Sequence, residues 1–295
     1  MSMDRKIAYN KEKAEKYGWT PQDFGATAFD EDLINKIIQF QTENGLTADG
    51  YCGSGTYRVL RTVQMQDWNI PSNNATGEYI ICNGKQVPID WNKVVTWNEE
   101  GGLKASNFRK SDGLRNPTLF VTHWDVTLSA HHCARILEKR KLSVHFLIDN
   151  DGTIFQMADT NDVCFHASNA NGRSIGVEIS NAYDLKWQDW YVRKGFGERP
   201  IIHNAECHNS RLKPFLGFYD VQLKALTALY QAINKGCSIP LVAPNNKTTV
   251  DPSVVDGSFK GFCSHYHLTK RKIDCAGLDI DDLLTIYPKR QFMTF

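Results

Sequence analysis

A short apolar run that leads into a histidine constrains the fold of this chain more than any other stretch. Residues 117–121 (PTLFV) have the length and apolar character of a buried β-strand. His123 follows almost at once, before Trp124 and Asp125. A histidine at the exit of a rigid strand has a fixed backbone while its imidazole stays reachable. The run therefore predicts a buried strand that delivers a metal ligand.

A second group of candidate ligands lies far downstream. Residues 263–277 (CSHYHLTKRKIDCAG) combine histidines, a carboxylate and cysteines. Zinc in catalytic sites takes three protein ligands from His, Cys, Asp or Glu and keeps one position open for water. A lone histidine is more often a packed or surface imidazole, but this combination favours a metal site. We predict that folding brings His123 and the second group together around Zn2+.

Strands alternate with helices in the chain after residue 77. An Asn-Gly turn at 83–84 between apolar runs indicates a hairpin. Helical spacing predicts amphipathic helices at 129–139 and 220–234, and apolar runs predict strands at 142–148, 153–157 and 175–180. This alternation predicts an α/β domain with a central mixed sheet flanked by helices. No pattern assigns a fold to residues 187–215.

The residues before this domain predict a small all-α module. Asp30 can cap a helix with an apolar stripe, and Gly45 can end it. A glycine-rich connector then leads into a second short helix after residue 56. Residues 67–77 are rich in turn formers and indicate a linker. We predict two domains, residues 1–75 including the linker and residues 77–295.

Composition limits the partners of the chain. Lys and Arg number 34 against 33 Asp and Glu, so the net charge of +1 gives no electrostatic basis for binding nucleic acid or an anionic membrane. No stretch approaches the ~20 apolar residues that span a bilayer, and the charged N-terminus lacks the apolar core of a secretory signal. We expect a monomer made in a cytosol, with reduced, buried cysteines.

The glycine-rich connector and its flanking helix carry a motif that combines turn residues with helix register. Its positions are Ile37, Phe40, Gln41, Gly45, Leu46, Asp49, Gly50, Gly53 and Thr56. This motif resembles that of the small helical peptidoglycan-binding domain. The resemblance implies that the first module binds the bacterial cell wall, with a generic helical hairpin as the alternative.

Five motifs occur in a fixed order in the second domain. They are VTH at 121–123, SVHFLI with DGTIFQ at 143–156, HA at 166–167, SIGVE at 174–178 and the stretch 265–277. This order resembles the zinc-dependent N-acetylmuramoyl-L-alanine amidases, whose superfamily includes the peptidoglycan recognition proteins. The resemblance implies a modular phage endolysin that cleaves the amide between the lactyl group of N-acetylmuramic acid and L-alanine. The alternatives are a peptidoglycan receptor without activity and a cytosolic or autolytic muropeptide amidase of the bacterium.

The resemblance also implies a set of zinc ligands. The two ligand histidines of the family fall on His123 and His265, and the third ligand falls on Asp274. His267 remains an alternative to His265. Cys275 stands where the family usually has proline, and because a thiolate is a competent zinc ligand it remains an alternative to Asp274.

Further residues receive roles from the same resemblance. Glu178, at the end of a predicted strand, corresponds to the general base. Lys272, two residues before Asp274, corresponds to the group that stabilises the oxyanion. Val144 stands where some members have a tyrosine, so Glu178 and Lys272 would act without it. The predicted substrate-binding residues are His166, Trp124, Asn169, Arg173 and His145, although His145 could instead be packed inside the domain.

Overall fold

The computed structural model describes residues 2–67 and 77–285. Within them the chain forms two compact units, a smaller one that includes residues 2–67 and a larger one that includes 77–134 and 141–285. Most of the predicted linker, and residues 286–295 of the predicted second domain, lie outside the described residues. The domain limits at 75 and 77 therefore stay predictions.

Residues 2–67 form an all-α unit, as the sequence predicts. Its helices are α1 (Met3–Tyr17), α2 (Glu31–Glu43) and α3 (Ser54–Gln64). The Asp30 side chain caps α2 by accepting the N–H of Leu33 at 3.1 Å. Helix α1 was not predicted, because its sequence is polar and it buries only Asn10, Ala14 and Tyr17.

Two buried amides hold the connector between α2 and α3. Gln41 accepts the N–H of Gly50 at 2.8 Å and donates to Asp49 at 2.9 Å. Asn10 donates to the Gly50 carbonyl at 2.9 Å and accepts the N–H of Cys52 at 2.8 Å. Gly50 itself has a φ of +75°, and a Cβ there would lie 2.9 Å from the Ile34 side chain. The connector thus requires both amides and this glycine.

The larger unit consists of strands and helices in alternation. Its strands are β1 (Tyr79–Cys82), β2 (Lys85–Pro88), β3 (Val94–Thr96), β4 (Phe108–Arg109), β5 (Leu119–Trp124), β6 (Phe146–Ile148), β7 (Ile154–Gln156), β8 (Val163–Cys164), β9 (Ser174–Ile179), β10 (Ile201–Ile202), β11 (Glu206–Cys207), β12 (Ser210–Arg211), β13 (Phe215–Leu216) and β14 (Gly261–Ser264). Helix α4 (Ala130–Lys139) begins in this unit, and its further helices are α5 (Gln188–Arg193), α6 (Asp220–Cys237), α7 (Pro252–Asp256) and α8 (Ile280–Thr285).

Six of these strands form the central sheet in the order β14-β5-β9-β6-β7-β3. Neighbours are parallel except β6 and β7, which are antiparallel. The predicted α/β class with a mixed sheet is therefore confirmed, as is the hairpin, whose turn residues Asn83 and Gly84 both have positive φ. Strand β6 begins later than predicted because the N–H of Ser143 bonds to Phe165, outside the sheet.

The two faces of β5 and β9 have different surroundings, because successive side chains of a strand point to opposite faces. One face belongs to the main apolar core, in which Phe120 and Val177 pack with residues of α6. On this face the Thr122 hydroxyl lies 2.7 Å from that of Tyr230. The other face presents His123 and its register partner Glu178.

The segment that the sequence left unassigned forms α5 and two short strand pairs, β10 with β13 and β11 with β12. Arg199, only 2% exposed, anchors it. Its guanidinium lies between the rings of Tyr191 and Tyr219, at 4.2 and 4.3 Å from their centroids. It also donates to the carbonyls of Gly217 and Ser180, each at 2.9 Å. One buried cation therefore ties this segment to the end of β9.

The eight cysteines are buried and free of disulfides, as the sequence predicts. In the parts of the chain that the structure describes, no helix has both the length and the apolar character needed to cross a membrane.

His145, just before β6, is completely buried. Its Nε2–H donates to the Asp162 carbonyl at 3.0 Å, and its Nδ1 accepts the N–H of Gly176 at 3.1 Å. Both ring nitrogens are thus used by the backbone, so this geometry gives no support to the predicted substrate contact and matches the packed alternative. Burial, and to a smaller extent the charge of Arg115, lower the pKa of His145 to about 3.

We expect acid to destabilise the fold through His145. Its folded pKa of about 3 lies below the ordinary 6.5, so the unfolded chain binds a proton in this range that the folded chain does not. Stability is therefore lost as the pH falls below about 6.5, by about 2 kcal/mol between pH 7 and pH 5 from this group. Urea unfolding of wild type and His145→Gln at both pH values checks this. Equal pH dependence in the two proteins would contradict it.

Candidate metal centre

The three predicted metal ligands lie together at one edge of the sheet. His123 is near the end of β5, and His265 directly follows β14, which pairs in parallel with β5. The Nδ1 atoms of the two histidines are 2.9 Å apart. The Oδ2 atom of Asp274 lies 3.2 Å from Nδ1 of His123 and 3.0 Å from Nδ1 of His265. Parallel pairing thus brings candidate ligands that are distant in the sequence close together.

The geometry of these three atoms fits a zinc ion. Ligand atoms about 2.0–2.1 Å from a tetrahedral zinc lie about 3.3 Å from one another, and the observed separations of 2.9 to 3.2 Å are close to that value. The three side chains are buried. A cation between them would interact with the lone pairs of two nitrogens and one oxygen at once. The donor set is one that zinc prefers.

The protonation states also suit a metal. Burial lowers the pKa of His123 to about 4, and His265 acts in the same direction. The imidazole is therefore neutral near pH 7, the form that binds metal. Burial would raise the pKa of Asp274, but the two histidines lower it more, and the net pKa lies well below the ordinary value. The centre thus presents a neutral imidazole and an ionised carboxylate.

The alternatives to His265 and Asp274 point elsewhere. His267 accepts the N–H of Ser264 at Nδ1, at 3.0 Å, and donates from Nε2 to the Asn246 carbonyl at 2.6 Å. Cys275 is buried in an apolar cluster, and burial raises the pKa of its thiol well above the ordinary value. The geometry therefore favours His265 over His267 and Asp274 over Cys275.

Glu178 and Lys272 lie beside the three ligands. Glu178 is half-buried and pairs in register with His123 on the neighbouring strand, so both side chains leave the sheet on the same face. Lys272 is half-buried two residues before Asp274, and its charge contributes to the lowered pKa of His123. A carboxylate and an ammonium group are thus available next to the candidate metal position.

His166 is the predicted substrate-binding residue that reaches the centre. Its Nδ1 lies 3.1 Å from Nε2 of His123. Asn169 is exposed on the 3-10 helix Ser168–Arg173 and is accessible to a ligand. Arg173 is half-buried at the end of that helix and donates to the Val254 carbonyl, so part of its guanidinium is already engaged.

Trp124 lies in a different environment from the one expected of a substrate contact. It is 5% exposed and belongs to an apolar cluster. Its ring is 5.1 Å from that of Tyr183 and 5.3 Å from that of Phe215. As the residue after His123 it points to the opposite face of β5. The structure therefore gives it a packing role.

His208 is a residue near the centre that no motif identified. Its Nε2–H donates to the backbone carbonyl of Lys272 at 2.7 Å, and its Nδ1 lies 3.0 Å from the Thr249 hydroxyl. It occupies the turn between β11 and β12, where its φ is +52°. No local signal marks it, because the contact joins residues far apart in the chain. Through it, the unassigned segment supports the loop that carries Lys272.

Comparison with protein families gives two matches, the N-acetylmuramoyl-L-alanine amidase family over residues 113–274 and a peptidoglycan binding domain over residues 14–60. A search of curated proteins finds no match.

A search of solved structures matches, among others, the amidase LysC from Clostridium intestinale, which is 16% identical over 68% of this chain and 99% of its own, with a TM-score of 0.36. The Ph2119 endolysin from a Thermus scotoductus bacteriophage is 12% identical over 64% of this chain and 96% of its own, with a TM-score of 0.38. Drosophila peptidoglycan recognition protein SA is 15% identical over 67% of this chain and 90% of its own, with a TM-score of 0.34. Likeness at this level carries no argument about this chain.

The amidase match, in contrast, covers more than half of the 295 residues and contains all three candidate ligands together with Glu178 and Lys272. The chain therefore belongs to the N-acetylmuramoyl-L-alanine amidase family and carries a peptidoglycan-binding domain ahead of its amidase domain.

Proposed function

We propose that this amidase is a zinc-dependent phage endolysin that cleaves the amide between the lactyl group of N-acetylmuramic acid and L-alanine in the host cell wall. The convergence of two imidazole nitrogens and one carboxylate oxygen at the exit of β5, inside the amidase match, carries the proposal. His123, His265 and Asp274 would hold the ion. Zinc in such a site supplies Lewis acidity and lowers the pKa of water, which amide hydrolysis requires.

Glu178 would act as the general base. Its carboxylate leaves the sheet on the same face as His123, and the register of β5 and β9 fixes its backbone. It can take the proton of the attacking water as the oxygen bonds to the carbonyl carbon, and return it to the alanine nitrogen as the C–N bond breaks. Glu178 alone then carries out both proton transfers of the hydrolysis.

Lys272 would stabilise the negative charge that develops on the carbonyl oxygen. An ammonium group held near that oxygen contributes most when its position is fixed before the reaction. The hydrogen bond from His208 to the Lys272 carbonyl fixes the backbone at this residue. The Lys272 side chain therefore extends from a backbone whose position is fixed.

The N-terminal module would keep the enzyme on its polymeric substrate. Tethering raises the effective concentration of the amidase domain at the wall without a new contact in the active site. We propose peptidoglycan as the partner of both domains and a monomer as the working form, with neither nucleic acid nor membrane bound. An enzyme made in the host cytosol would reach the wall through a pore made by another phage protein.

Loss of a ligand should remove the metal and the activity together. We expect wild type to bind about one zinc per chain, and His123→Ala to lose the ion and at least about 100-fold of the activity. Elemental analysis measures the zinc content, and the release of L-alanine amino termini from purified sacculi measures the activity. His267→Gln is the matched control, because His267 bonds only to backbone atoms at its ring nitrogens. Loss of zinc from the control alone would contradict the ligand assignment.

Removing the base should stop the chemistry but spare the metal. We expect Glu178→Gln to lower kcat by about 10²–10⁴-fold, since the amide cannot accept the proton, while zinc content stays at the wild-type level. Amino-terminus release from sacculi measures kcat, with Asp151→Asn on the loop before β7 as a matched carboxylate control. Full activity in Glu178→Gln would exclude this role. If wild type binds sacculi but releases no amino termini, even with zinc, the chain is a receptor.

Replacing Lys272 should slow the same step without changing substrate binding. We expect Lys272→Met, which keeps the length of the side chain but removes its charge, to lower kcat by about 10²–10³-fold with little change in KM. Steady-state kinetics on a soluble muropeptide separate the two constants. A change confined to KM would instead identify Lys272 as a substrate-binding residue.

A further inference from the structure

Three side chains form a hydrogen-bonded chain that leads away from the candidate metal position. Nε2 of His123 lies 3.1 Å from Nδ1 of His166, and Nε2 of His166 lies 3.3 Å from the Ser174 hydroxyl. The two imidazole rings are nearly perpendicular, at 87°. His123 thus uses one ring nitrogen towards the other ligands and the other towards His166.

Metal binding would fix the direction of every hydrogen bond in this chain. A neutral imidazole has one donor and one acceptor nitrogen. If Nδ1 of His123 offers its lone pair to a metal, its Nε2 carries the proton and donates to Nδ1 of His166. Nε2 of His166 then carries a proton and donates to the Ser174 hydroxyl.

The ring of His166 occupies a place that the fold builds for it. A Cβ atom at Gly176 would lie 2.5 Å from Nδ1 and 2.6 Å from Cε1 of His166, so the ring lies against β9 at a position where only glycine leaves room. The backbone is held as well, because the Asn171 side chain accepts the N–H groups of His166 at 3.0 Å and Ala167 at 2.6 Å. His166, which accepts the N–H of His123, is therefore held both at its ring and at its backbone.

We propose that His166 is a positioning residue for the metal centre, and not the substrate-binding residue that the motif suggested. Its Nδ1 fixes the tautomer and the ring orientation of His123, and the Ser174 hydroxyl fixes His166 in turn. The inference rests on the proposed zinc site. Ligand histidines usually donate their second N–H to a carboxylate, a backbone carbonyl or water. Here a neutral imidazole accepts it, so no negative charge is added beside Asp274.

Zinc affinity of the full chain, measured by competition with a chromophoric chelator, tests the proposal. We expect His166→Leu to weaken zinc binding by about 10–100-fold, the usual cost of losing such a partner. His166→Asn should recover most of the loss, because its Oδ1 lies near the position of Nδ1. His166→Gln should not, because its amide oxygen lies near the position of Nε2. This difference between Asn and Gln is the signature of a specific acceptor.

Two further variants examine the supports of His166. Gly176→Ala should displace the ring and weaken zinc binding towards the level of His166→Leu. Ser174→Ala should weaken it less, because it removes the second bond of the chain and leaves the first. Urea unfolding of the metal-free proteins, with circular dichroism, shows whether each variant folds as wild type does.

The outcomes separate this inference from the proposed function. A folded wild type that binds no zinc would overturn both. Tight zinc binding by wild type with unchanged affinity in His166→Leu would overturn the inference alone, and a raised KM would then restore the substrate-binding role. Equal weakening in the Leu, Asn and Gln variants, with equal loss of unfolding free energy, would also overturn it.

Discussion

The parallel pairing of β5 with its two neighbours is the constraint on which the rest of the domain depends. The register sets Ser264 opposite Thr122 and Glu178 opposite His123. Parallel strands end at the same edge of a sheet. The candidate ligands His123 and His265 and the proposed base Glu178 therefore lie at one edge although they are far apart in the sequence. A shift of one residue in the register of β5 with β14 or with β9 would direct a functional side chain into the core.

Side chains alternate between the two faces of a strand, so the same strands carry the polar site on one face and the apolar core on the other. On β5, Phe120 and Thr122 face the core under α6 while His123 faces the site. Burial of the site lowers the effective dielectric around it, so charges placed there interact more strongly than they would in water. The core therefore provides both rigidity for the ligands and the environment in which the proposed chemistry gains most.

The sequence predicted the elements whose signals are local and missed those held by distant contacts. Strand β5, helix α6 and the Asn83-Gly84 hairpin follow from periodicity and turn chemistry, and the motif order placed the three candidate ligands. Helix α1 was not predicted because its sequence is polar and its buried face is small. The segment around Arg199 escaped because its fold depends on a buried guanidinium whose partners are spread from Asn150 to Gln222. Periodicity contains no information on such a contact.

His145 and His166 show why a motif cannot by itself assign a role. Both occur in family-like motifs and both approach Gly176. The ring nitrogens of His145 bond to backbone atoms, whereas those of His166 bond to the side chains of His123 and Ser174. The difference lies in where each ring projects from its segment, which the sequence does not encode locally. Gly176 contacts both histidines. Its N–H donates to the His145 ring, and the absence of a side chain leaves room for the His166 ring. A single glycine on β9 thus contacts both rings and leaves the space in which His166 reaches the candidate ligand His123.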